Sequence, residues 1–501
     1  MRGEANFLKG QRPAYFFACL LVLAAGQAAE LARTKPPNIV FILCDDLGIN
    51  DLHCYGRRDH HTPNLDRLAH QGVRFTCAYC AQPICSPSRA AILTGKAPAR
   101  LHLTTYLPGR PDCISQKVLH PEIEMQVPLT EKMLPKYFKE AGYVSAAIGK
   151  WHVGGKGFEP LDHGFDVYHA GQPKTTPSAT EGGKGEYDLT AFAERFMETN
   201  KDRPFLVYLA HYAPHIPYDA QKRRIEHNAR AFEPVYAGVI ETIDDTVGRL
   251  LAKLESLKLA DNTIVIFTSD NGGLHVPEGP HPRITHNTPF RAGKGFVYEG
   301  GLRIPLLVRW PGHVPAGKIT DAPVINTDWL PTLMELAGLP APSGLDGISF
   351  APLLTGRGSA PERSLFWHFP HYTNQGSRPS GAMREENWML IEFYDEDAAE
   401  LYDLRHDIRE MRNVAAQQPE RVARMQEALA AWRKQVNAQG NKPNPNFDVT
   451  KYRQLYVDVD ASRFDPAKAT STEWEEMWGW RKTMNAVLPQ DRKEKPANAK
   501  K

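Results

Sequence analysis

Two pairs of oxygen-bearing side chains follow apolar segments of the chain. Asp45 and Asp46 come directly after one such segment, and Asp270 and Asn271 follow another. Carboxylate and amide oxygens suit a hard cation such as Ca²⁺ or Mg²⁺ better than zinc. Adjacent aspartates on a strand would point to opposite faces, so both can face one ion only if the chain leaves the strand there, which Gly48 permits. Together the two pairs predict one metal site.

Basic side chains lie in comparable positions. Lys150 and His152 end another apolar segment, one residue apart and on the same side of an extended chain. Lys294 lies in "RAGKGFVYEGG", where the flanking glycines let the backbone approach a ligand closely. With Arg89, these residues form a set of donors that could bind a tetrahedral oxyanion and stabilise the charge that develops in group transfer.

Two histidines, His211 and His215, follow a further apolar segment in "HYAPHIP". A histidine at this place could protonate a leaving group. We favour His215 as the acid because it lies further into the loop, and we expect His211 to be a packed or capping residue. The sequence leaves the choice between the two open.

Residues 83–95, "PICSPSRAAILTG", place a cysteine before a short helical pattern. Pro87 suits the first turn of a helix that runs toward Thr94 and ends at Gly95. Backbone N–H groups and the helix dipole at that terminus favour an anion and lower the pKa of a thiol. From local physics alone, Cys85 could be a thiolate nucleophile or a structural cysteine.

Apolar runs that suit strands buried on both faces alternate with amphipathic helical patterns. The four runs that end in polar clusters are 38–46, 143–152, 205–215 and 263–273. This alternation predicts an α/β fold with a largely parallel sheet and helices on both faces. Ligands in such folds bind beyond the carboxyl ends of the strands, so the polar clusters are expected to share one site.

The sequence pattern changes after residue 339, where proline and glycine become frequent. Short strand-like runs and a helix over about 419–437 then follow. This change predicts a smaller α+β domain after the catalytic domain, and the last ten residues, "RKEKPANAKK", are expected to be disordered. The expected parts are a signal peptide over 1–28, a catalytic domain over 36–359, a small domain over 360–440 and a C-terminal extension over 441–501.

The N-terminus has the pattern of a secretory signal peptide. Arg2, Lys9 and Arg12 precede an apolar run over residues 14–25, which small residues follow. A membrane anchor is the alternative, but the run is well short of the ~20 residues that a spanning helix needs. We expect export to the periplasm or the extracellular space, without lipoprotein anchoring at Cys19, and no membrane span.

Charge and cysteine content give no support to nucleic-acid binding or to a thioredoxin-like or zinc site. Lys and Arg total 60 against 58 for Asp and Glu, so the net charge of +2 gives no reason to expect nucleic acid as a partner. Cys77 and Cys80 form a CxxC pair, but neither a βαβ redox context nor a second CxxC accompanies it. Export would permit disulfides, and their pairing cannot be read from the sequence.

These motifs together resemble the type I sulfatase family of the alkaline phosphatase superfamily. The family signature, C-x-P-S-R followed by Leu-Thr-Gly, stands here as "CSPSRAAILTG", and the second signature resembles "GYVSAAIGKWHVG". Further family blocks match "CDDLG", "SDNGG" and "GKGFVYEGGLRIP" in the same order. The likeness covers about residues 37–437. It implies a large mixed, mostly parallel sheet flanked by helices, and a smaller C-terminal domain with an antiparallel sheet.

The resemblance implies a modified residue and a metal ion. Cys85 would be oxidised to Cα-formylglycine during export by a formylglycine-generating enzyme that reads Pro87 and Arg89. The hydrated aldehyde carries two hydroxyls, of which one attacks sulfur and the other later expels sulfate. The residues that correspond to the ligands of one calcium ion per chain are Asp45, Asp46, Cys85, Asp270 and Asn271.

The resemblance also implies roles for the basic residues. Arg89 would hold the diol, and Lys150 and Lys294 would bind sulfate. His152 would assist the diol, and His215 would protonate the leaving alcohol. The expected activity is hydrolysis of a sulfate ester in a small molecule or a glycan.

Two other functions compete with this one. A phosphonate or phosphate monoester hydrolase of the same superfamily would share the fold and the site. A non-catalytic binder of sulfated glycans would lack a catalytic group, and none is missing. We expect exo action on a sulfated sugar, with His371 and Arg384 of an aromatic segment as candidate sugar contacts; a structural loop is the alternative for that segment.

Overall fold

The computed structural model of the protein describes residues 35–173, 176–178, 182–281, 283–359 and 362–489. The expected signal peptide and the C-terminal "RKEKPANAKK" lie outside the described residues. From Pro37 onwards the described chain forms one compact unit. The boundary expected near residue 360 therefore stays a prediction. None of the described helices combines the length and the apolar character that crossing a bilayer requires.

The described strands are numbered in chain order. They are β1 (Asn38–Cys44), β2 (Val73–Tyr79), β3 (Val118–Leu119), β4 (Val144–Gly149), β5 (Val167–His169), β6 (Phe205–Ala210), β7 (Thr263–Ser269), β8 (Arg303–Arg309), β9 (Lys318–Thr320), β10 (Val324–Ile325), β11 (Leu365–Phe369), β12 (Ser380–Glu385), β13 (Trp388–Phe393), β14 (Ala398–Asp403) and β15 (Lys442–Pro443).

The described α-helices are numbered in the same way. They are α1 (Pro63–His70), α2 (Cys85–Thr94), α3 (Pro98–Leu101), α4 (Leu134–Glu140), α5 (Glu186–Thr199), α6 (Lys222–His227), α7 (Pro234–Ser256), α8 (Glu299–Leu302), α9 (Trp329–Leu336), α10 (Ala351–Leu354), α11 (Pro419–Gln435), α12 (Val449–Tyr452) and α13 (Ser471–Ala486). Single turns of 3₁₀ or π type connect some of them, at Ile49–Asp51, His53–Tyr55, Ala260–Asn262, Asn326–Asp328, Ala415–Gln417, Arg453–Val457 and Ala461–Arg463.

Nine strands form the main sheet, in the order β10-β2-β8-β7-β1-β6-β4-β5, with β9 beside β2. Strand β8 runs antiparallel to β2 and β7, and the other neighbours are parallel. This arrangement confirms the prediction of a mixed, mostly parallel sheet. The pairing of β1 with β7 places Cys44 opposite Ser269, so the residues that follow these two strands begin at the same edge.

Each face of the sheet is covered by helices. Ile39, Phe41 and Leu43 of β1 enter the core on one side, with side chains from α2, α4 and α9. Val40 and Ile42 enter the core on the other side, with side chains from α1, α5 and α7. The alternation of side chains along a strand thus buries both faces of β1, which explains its uninterrupted apolar sequence.

A second, four-stranded sheet follows in the order β11-β12-β13-β14, and all its pairs are antiparallel. Helix α11 packs on this sheet through Met425 and Leu429. The C-terminal extension is also folded up to residue 489. Its strand β15 pairs with β3, and Trp480 and Met484 of α13 join the larger core.

The six described cysteines are all free, so no disulfide joins any two of them. Cys77 belongs to β2, and the Sγ atom of Cys80 lies 3.4 Å from the carbonyl oxygen of Gly301. The core of the described chain is therefore stabilised by packing and hydrogen bonding rather than by cross-links.

Replacing Gly149 by alanine is expected to destabilise the fold. Gly149 ends β4 with a φ of +89°, and a Cβ atom there would overlap the carbonyl oxygen of Ala210 on β6. Gly142 is a matched control, because its φ of +84° is similar but its Cβ would meet nothing within 4 Å. The left-handed backbone alone costs about 1–2 kcal/mol in Gly142→Ala. Overpacking adds about 1–3 kcal/mol in Gly149→Ala, measurable by urea unfolding; equal losses would contradict this explanation.

Candidate active site

The carboxyl ends of β1 and β7 bring three carboxylates together. The backbone N–H of Asp270 donates to Cys44 O at 3.1 Å, and the N–H of Asp46 donates to Asp270 Oδ1 at 3.1 Å. Asp45, Asp46 and Asp270 are all buried. Buried carboxylates are unfavourable unless cations or hydrogen-bond donors compensate them, so the surrounding groups decide whether this cluster can exist.

The two adjacent aspartates share one site because of the backbone at Asp46. Its φ of +66° is left-handed, a conformation that aspartate tolerates better than most residues. The expectation that Gly48 would permit the change of direction is therefore wrong, since Gly48 is extended. Gly48 is instead needed for close packing, because a Cβ there would overlap Oδ1 of Asn287.

The donor set fits a cation. Ligand atoms of Asp45, Asp46 and Cys85 all lie within 4.8 Å of one another. The Nδ2 atom of Asn271 donates to Asp46 Oδ1 at 2.8 Å. Asp45 Oδ1 and Asn271 Oδ1 are buried oxygens without a hydrogen-bond partner in the protein, which is the condition expected of oxygens that bind a metal ion.

Arg89 crosses this cluster from the buried helix α2 and is 0% exposed. Its Nε donates to Asp270 Oδ2 at 2.8 Å, and its Nη1 donates to the carbonyl oxygen of Lys150 at 3.0 Å. Its Nη2 lies 3.6 Å from Asp45 Oδ1. One guanidinium thus contacts the ends of three strands, β1, β4 and β7.

Two lysines complete the charge balance. Lys150 Nζ lies 2.6 Å from Asp45 Oδ2, and Lys294 Nζ lies 2.7 Å from Asp46 Oδ2. Burial tends to raise the pKa of Asp45, but Lys150 and its neighbours outweigh it and hold that pKa well below its usual value. Burial likewise tends to lower the pKa of Lys294, but Asp46 outweighs it, so the pKa is raised. Both pairs are therefore ionised.

Cys85 is the first residue of α2 and is 2% exposed. The helix continues to Thr94 and ends at Gly95, whose φ is +67°, so the predicted helix and its end are confirmed. Burial raises the pKa of the Cys85 thiol to about 12, although Lys150 and Lys294 act in the opposite direction. An unmodified thiol at this place is therefore held protonated, which weakens the thiolate interpretation.

His152 lies beside the start of α2. Its φ of +62° departs from the extended conformation that the sequence suggested, so it does not continue the strand direction of Lys150. Its Nε2 lies 3.0 Å from the carbonyl oxygen of Leu107, whose N–H donates to Ser86 Oγ at 3.1 Å. Burial, and then Lys150, lower the pKa of His152 to about 3, so the ring is neutral at ordinary pH and only a weak base.

The two candidate acids have different surroundings. His211 is fully buried, and its Nε2 lies 3.5 Å from Thr246 Oγ1. The side chain of His215 is 32% exposed, and its Nε2 lies 3.6 Å from Asp46 Oδ2. Because Nδ1 of His215 lies 2.7 Å from Ile216 O, Nδ1 carries a proton and Nε2 is the nitrogen available to the site. The structure thus brings His215, and not His211, to the carboxylates.

The two candidate sugar contacts have partners elsewhere. His371 is buried, and its Nε2 lies 2.7 Å from Thr104 Oγ1. Arg384, on β12, donates to the hydroxyl of Tyr79 and, through Nε, to Glu386 O at 2.9 Å. These contacts engage His371 Nε2 and the Arg384 guanidinium within the protein, and they give no support to a role in substrate binding.

Polar residues that the sequence did not single out lie near the site instead. The side chain of Glu278 is 18% exposed, and its Oε1 lies 3.3 Å from Arg481 Nη2. Gln375 Nε2 donates to Glu278 Oε2 at 2.6 Å. Lys184 Nζ donates at 3.2 Å to the carbonyl oxygen of Ile216, the residue after His215. No motif marks these residues, because each lies within a loop or a helix and none directly follows a strand.

The sheet is mostly parallel, and its carboxyl edge carries buried carboxylates, cations and a helix N-terminus, as expected for a hydrolase of the alkaline phosphatase superfamily. The chain belongs to the sulfatase family within it and is a sulfuric ester hydrolase. The Sulfatase profile matches residues 37–339, and the profile "N-sulphoglucosamine sulphohydrolase, C-terminal" matches residues 292–437. The resemblance seen in the motifs is thereby confirmed.

Named relatives agree with this membership. The chain is 36% identical over 385 residues to N-acetylgalactosamine-6-sulfatase of Canis lupus familiaris, covering 70% of this chain and 72% of the relative. It is 37% identical over 399 residues to human arylsulfatase A, covering 71% and 74%. Both shares exceed two thirds of each chain.

Solved structures show the same fold. The crystal structure of Ps i-CgsB matches with a TM-score of 0.70 at 29% identity, covering 80% of this chain and 93% of that chain. A second structure of Ps i-CgsB contains k-i-k-neocarrahexaose. The phosphonate monoester hydrolase of Agrobacterium radiobacter matches with a TM-score of 0.59 at 21% identity, a likeness of fold alone that covers 81% of this chain and 99% of that chain.

Removing the charge of Arg89 is expected to destabilise the protein because Asp270 would lose its closest cation. Arg89→Met should lower the free energy of unfolding by about 3–5 kcal/mol, the usual cost of leaving one buried partner uncompensated. The double variant Arg89→Met/Asp270→Asn should recover part of that loss in urea unfolding, because it leaves no charge stranded. If the loss in the double variant equals the sum of the losses in Arg89→Met and Asp270→Asn, the two residues are not coupled.

Proposed function

We propose that this sulfatase removes sulfate from a sulfated carbohydrate through a formylglycine made from Cys85 and a bound calcium ion. The observation that carries the proposal is the meeting of Cys85 with Asp45 and Asp46, whose ligand atoms lie within 4.8 Å of one another at the start of a buried helix. The complete "CSPSR" motif at this point supports conversion of the cysteine.

The carbohydrate part of the proposal is supported by the names of similar proteins. One relative is named for N-acetylgalactosamine, and Ps i-CgsB has been solved with a neocarrahexaose. We extend this substrate class to the present chain, with exo action on a terminal sulfated sugar. Export after removal of residues 1–28, and conversion by a formylglycine-generating enzyme during export, complete the proposal.

The metal ion would be held by the oxygens of Asp45, Asp46, Asp270 and Asn271, with residue 85 beside them. A calcium ion bound there would supply a Lewis acid that polarises a sulfate oxygen. Formylglycine would supply a hydrated aldehyde with one hydroxyl to attack sulfur and one to expel sulfate. The chain's own groups must bind the anion, hold these ligands and move protons.

The basic residues divide these tasks. Lys150 and Lys294 lie on either side of the carboxylate pair, where their charges can bind sulfate oxygens. Arg89 holds two ligand carboxylates and interacts electrostatically with residue 85, which suits a role in holding the diol. Neutral His152 has a buried Nδ1 without a hydrogen-bond partner, through which it would assist the diol. His215 presents Nε2 on the side of Asp46, from which it can protonate the leaving alcohol.

Burial, and then Lys294, lower the pKa of His215, while Asp46 acts in the opposite direction. A lowered pKa makes the imidazolium a stronger acid toward an alkoxide leaving group, but it also leaves a smaller fraction of the ring protonated at neutral pH. A phosphonate or phosphate monoester hydrolase remains the second candidate, since a phosphonate hydrolase shares the fold. The sulfatase relatives at higher identity favour sulfate.

Conversion of Cys85 is the first expected outcome. Mass spectrometry of the peptide that contains it, from a host with the modifying enzyme, should show replacement of CH₂SH by CHO. Cys85→Ala should lose hydrolysis of an aryl sulfate by about a thousandfold or more, as nucleophile variants do. Cys54→Ala is the control and should keep the parental rate.

Faster cleavage of the phosphate ester than of the sulfate ester of the same phenol would favour the second candidate, a phosphonate or phosphate monoester hydrolase.

Calcium is expected to stabilise the folded protein. In chelator-treated protein, Ca²⁺ at about a hundred times its Kd should raise the free energy of unfolding by about 2–3 kcal/mol, because the ion binds only the folded state. Asp45→Asn should lose most of this gain. Asp244→Asn, which changes a buried carboxylate that accepts hydrogen bonds from Asn64 and Leu65, should keep it. An unchanged thermal unfolding midpoint on adding Ca²⁺ to the parent would refute the metal site.

A further inference from the structure

Helix α13 of the C-terminal extension holds two loops beside the active site. Nη1 of Arg481 donates to the carbonyl oxygen of Asn374, and Nη2 lies 3.3 Å from Glu278 Oε1. Trp480, the preceding residue, packs so closely on Gly376 that a Cβ on that glycine would lie 2.7 Å from its ring. Both loops are therefore positioned by a helix that lies outside the main sheet.

The first loop, which contains Asn374 and Gln375, lies against the segment that carries Lys294. A Cβ on Gly295, the residue after Lys294, would lie 2.9 Å from Thr373 Oγ1 and 3.0 Å from Gln375 Oε1. The N–H of Gly295 donates to Pro83 O at 2.7 Å, close to Cys85 in the chain. Gln375 therefore stands against the segment that carries a proposed sulfate-binding lysine.

The second loop, which contains Glu278, lies near His215, the proposed acid. A Cβ on Gly279 would lie 3.4 Å from Ile216 Cδ1, so the residue after Glu278 packs on the residue after His215. Burial would raise the pKa of Glu278, but Arg481, Lys294, Gln375 and His215 together lower it. The carboxylate is therefore ionised and lies within electrostatic range of both the lysine that would bind sulfate and the histidine that would protonate the alcohol.

We infer that Glu278, held by Arg481 and Gln375, binds hydroxyl groups of the sugar from which sulfate is removed. This inference rests on the proposed function. The alcohol half of a sulfate ester must lie beside its acid, here His215, and Glu278 is the carboxylate of the neighbouring loop. A carboxylate accepts hydrogen bonds and repels anions, so the subsite takes uncharged hydroxyl or amide donors rather than a second sulfate or a uronic carboxylate.

The C-terminal extension would therefore position the sugar-binding carboxylate. Arg481 is the cation that keeps Glu278 ionised and oriented, and it comes from α13 rather than from the elements that bind sulfate. The residue is a positioning residue, since it acts through Glu278. Glu278 and Gln375 already share a 2.6 Å hydrogen bond, which leaves the carboxylate with further acceptor capacity for a ligand.

The test compares two substrates in the full, converted enzyme: a monosulfated neutral sugar and an aryl sulfate without hydroxyls. In Glu278→Gln, the ratio of kcat/KM for the sugar to kcat/KM for the aryl sulfate should fall by about tenfold or more, the size expected for a hydrogen bond to a charged group. Arg481→Met should lower the same ratio. Glu396→Gln is the matched control, since Glu396 pairs with Arg378 at 2.8 Å and should leave the ratio at the parental value.

A deoxy analogue of the sugar sulfate refines the test. Removing the hydroxyl that Glu278 binds should lower kcat/KM in the parent and have little further effect in Glu278→Gln. An unchanged substrate ratio in Glu278→Gln, with the sugar still cleaved, would overturn this inference and leave the proposed function standing. Absence of cleavage of every sulfate ester by converted parental enzyme would instead overturn the proposed function, and this subsite with it.

Discussion

The buried contact between Arg89 and Asp270 is the interaction on which the rest of the site depends. Arg89 belongs to the helix that begins at Cys85, and Asp270 follows the strand next to β1. The same guanidinium also contacts the carbonyl of Lys150 and lies near Asp45. An uncompensated buried charge is costly, so each of these groups is stable only because the others are in place. The helix that begins at Cys85 and the strands that carry the acidic residues are therefore coupled.

The main sheet provides the rigidity that this charge network requires. Strand β1 is buried on both faces, and its register with β6 and β7 fixes the depth at which the three strands end. Parallel pairing puts all of their carboxyl ends at one edge. Polar groups placed directly after these strands have no freedom to separate, whereas groups on longer loops need other elements to hold them.

This difference explains how much could be predicted from the sequence. The runs before Asp45 and Asp270 are mostly apolar, so their strands and their shared edge followed from pattern alone. The left-handed backbone at Asp46 did not, because Gly48 offered the more familiar explanation for a turn. The surroundings of Arg384 could not be predicted either, since its partner Tyr79 lies on a distant strand. Long-range pairs of this kind leave no periodic signal.

The same reasoning distinguishes the groups at the strand ends from Glu278 and Gln375, which lie on loops. Arg89, Lys150 and the acidic residues at the strand ends are held by the sheet and by buried ion pairs, so a change among them disturbs both the charge balance and the fold. Glu278 and Gln375 lie on loops that α13 contacts from outside the sheet, and the charge of Glu278 is compensated locally by Arg481. Loops compensated in this way can change without stranding a buried charge in the sheet. In the proposed function, groups that α13 holds would therefore select the alcohol, and groups that the sheet holds would bind sulfate.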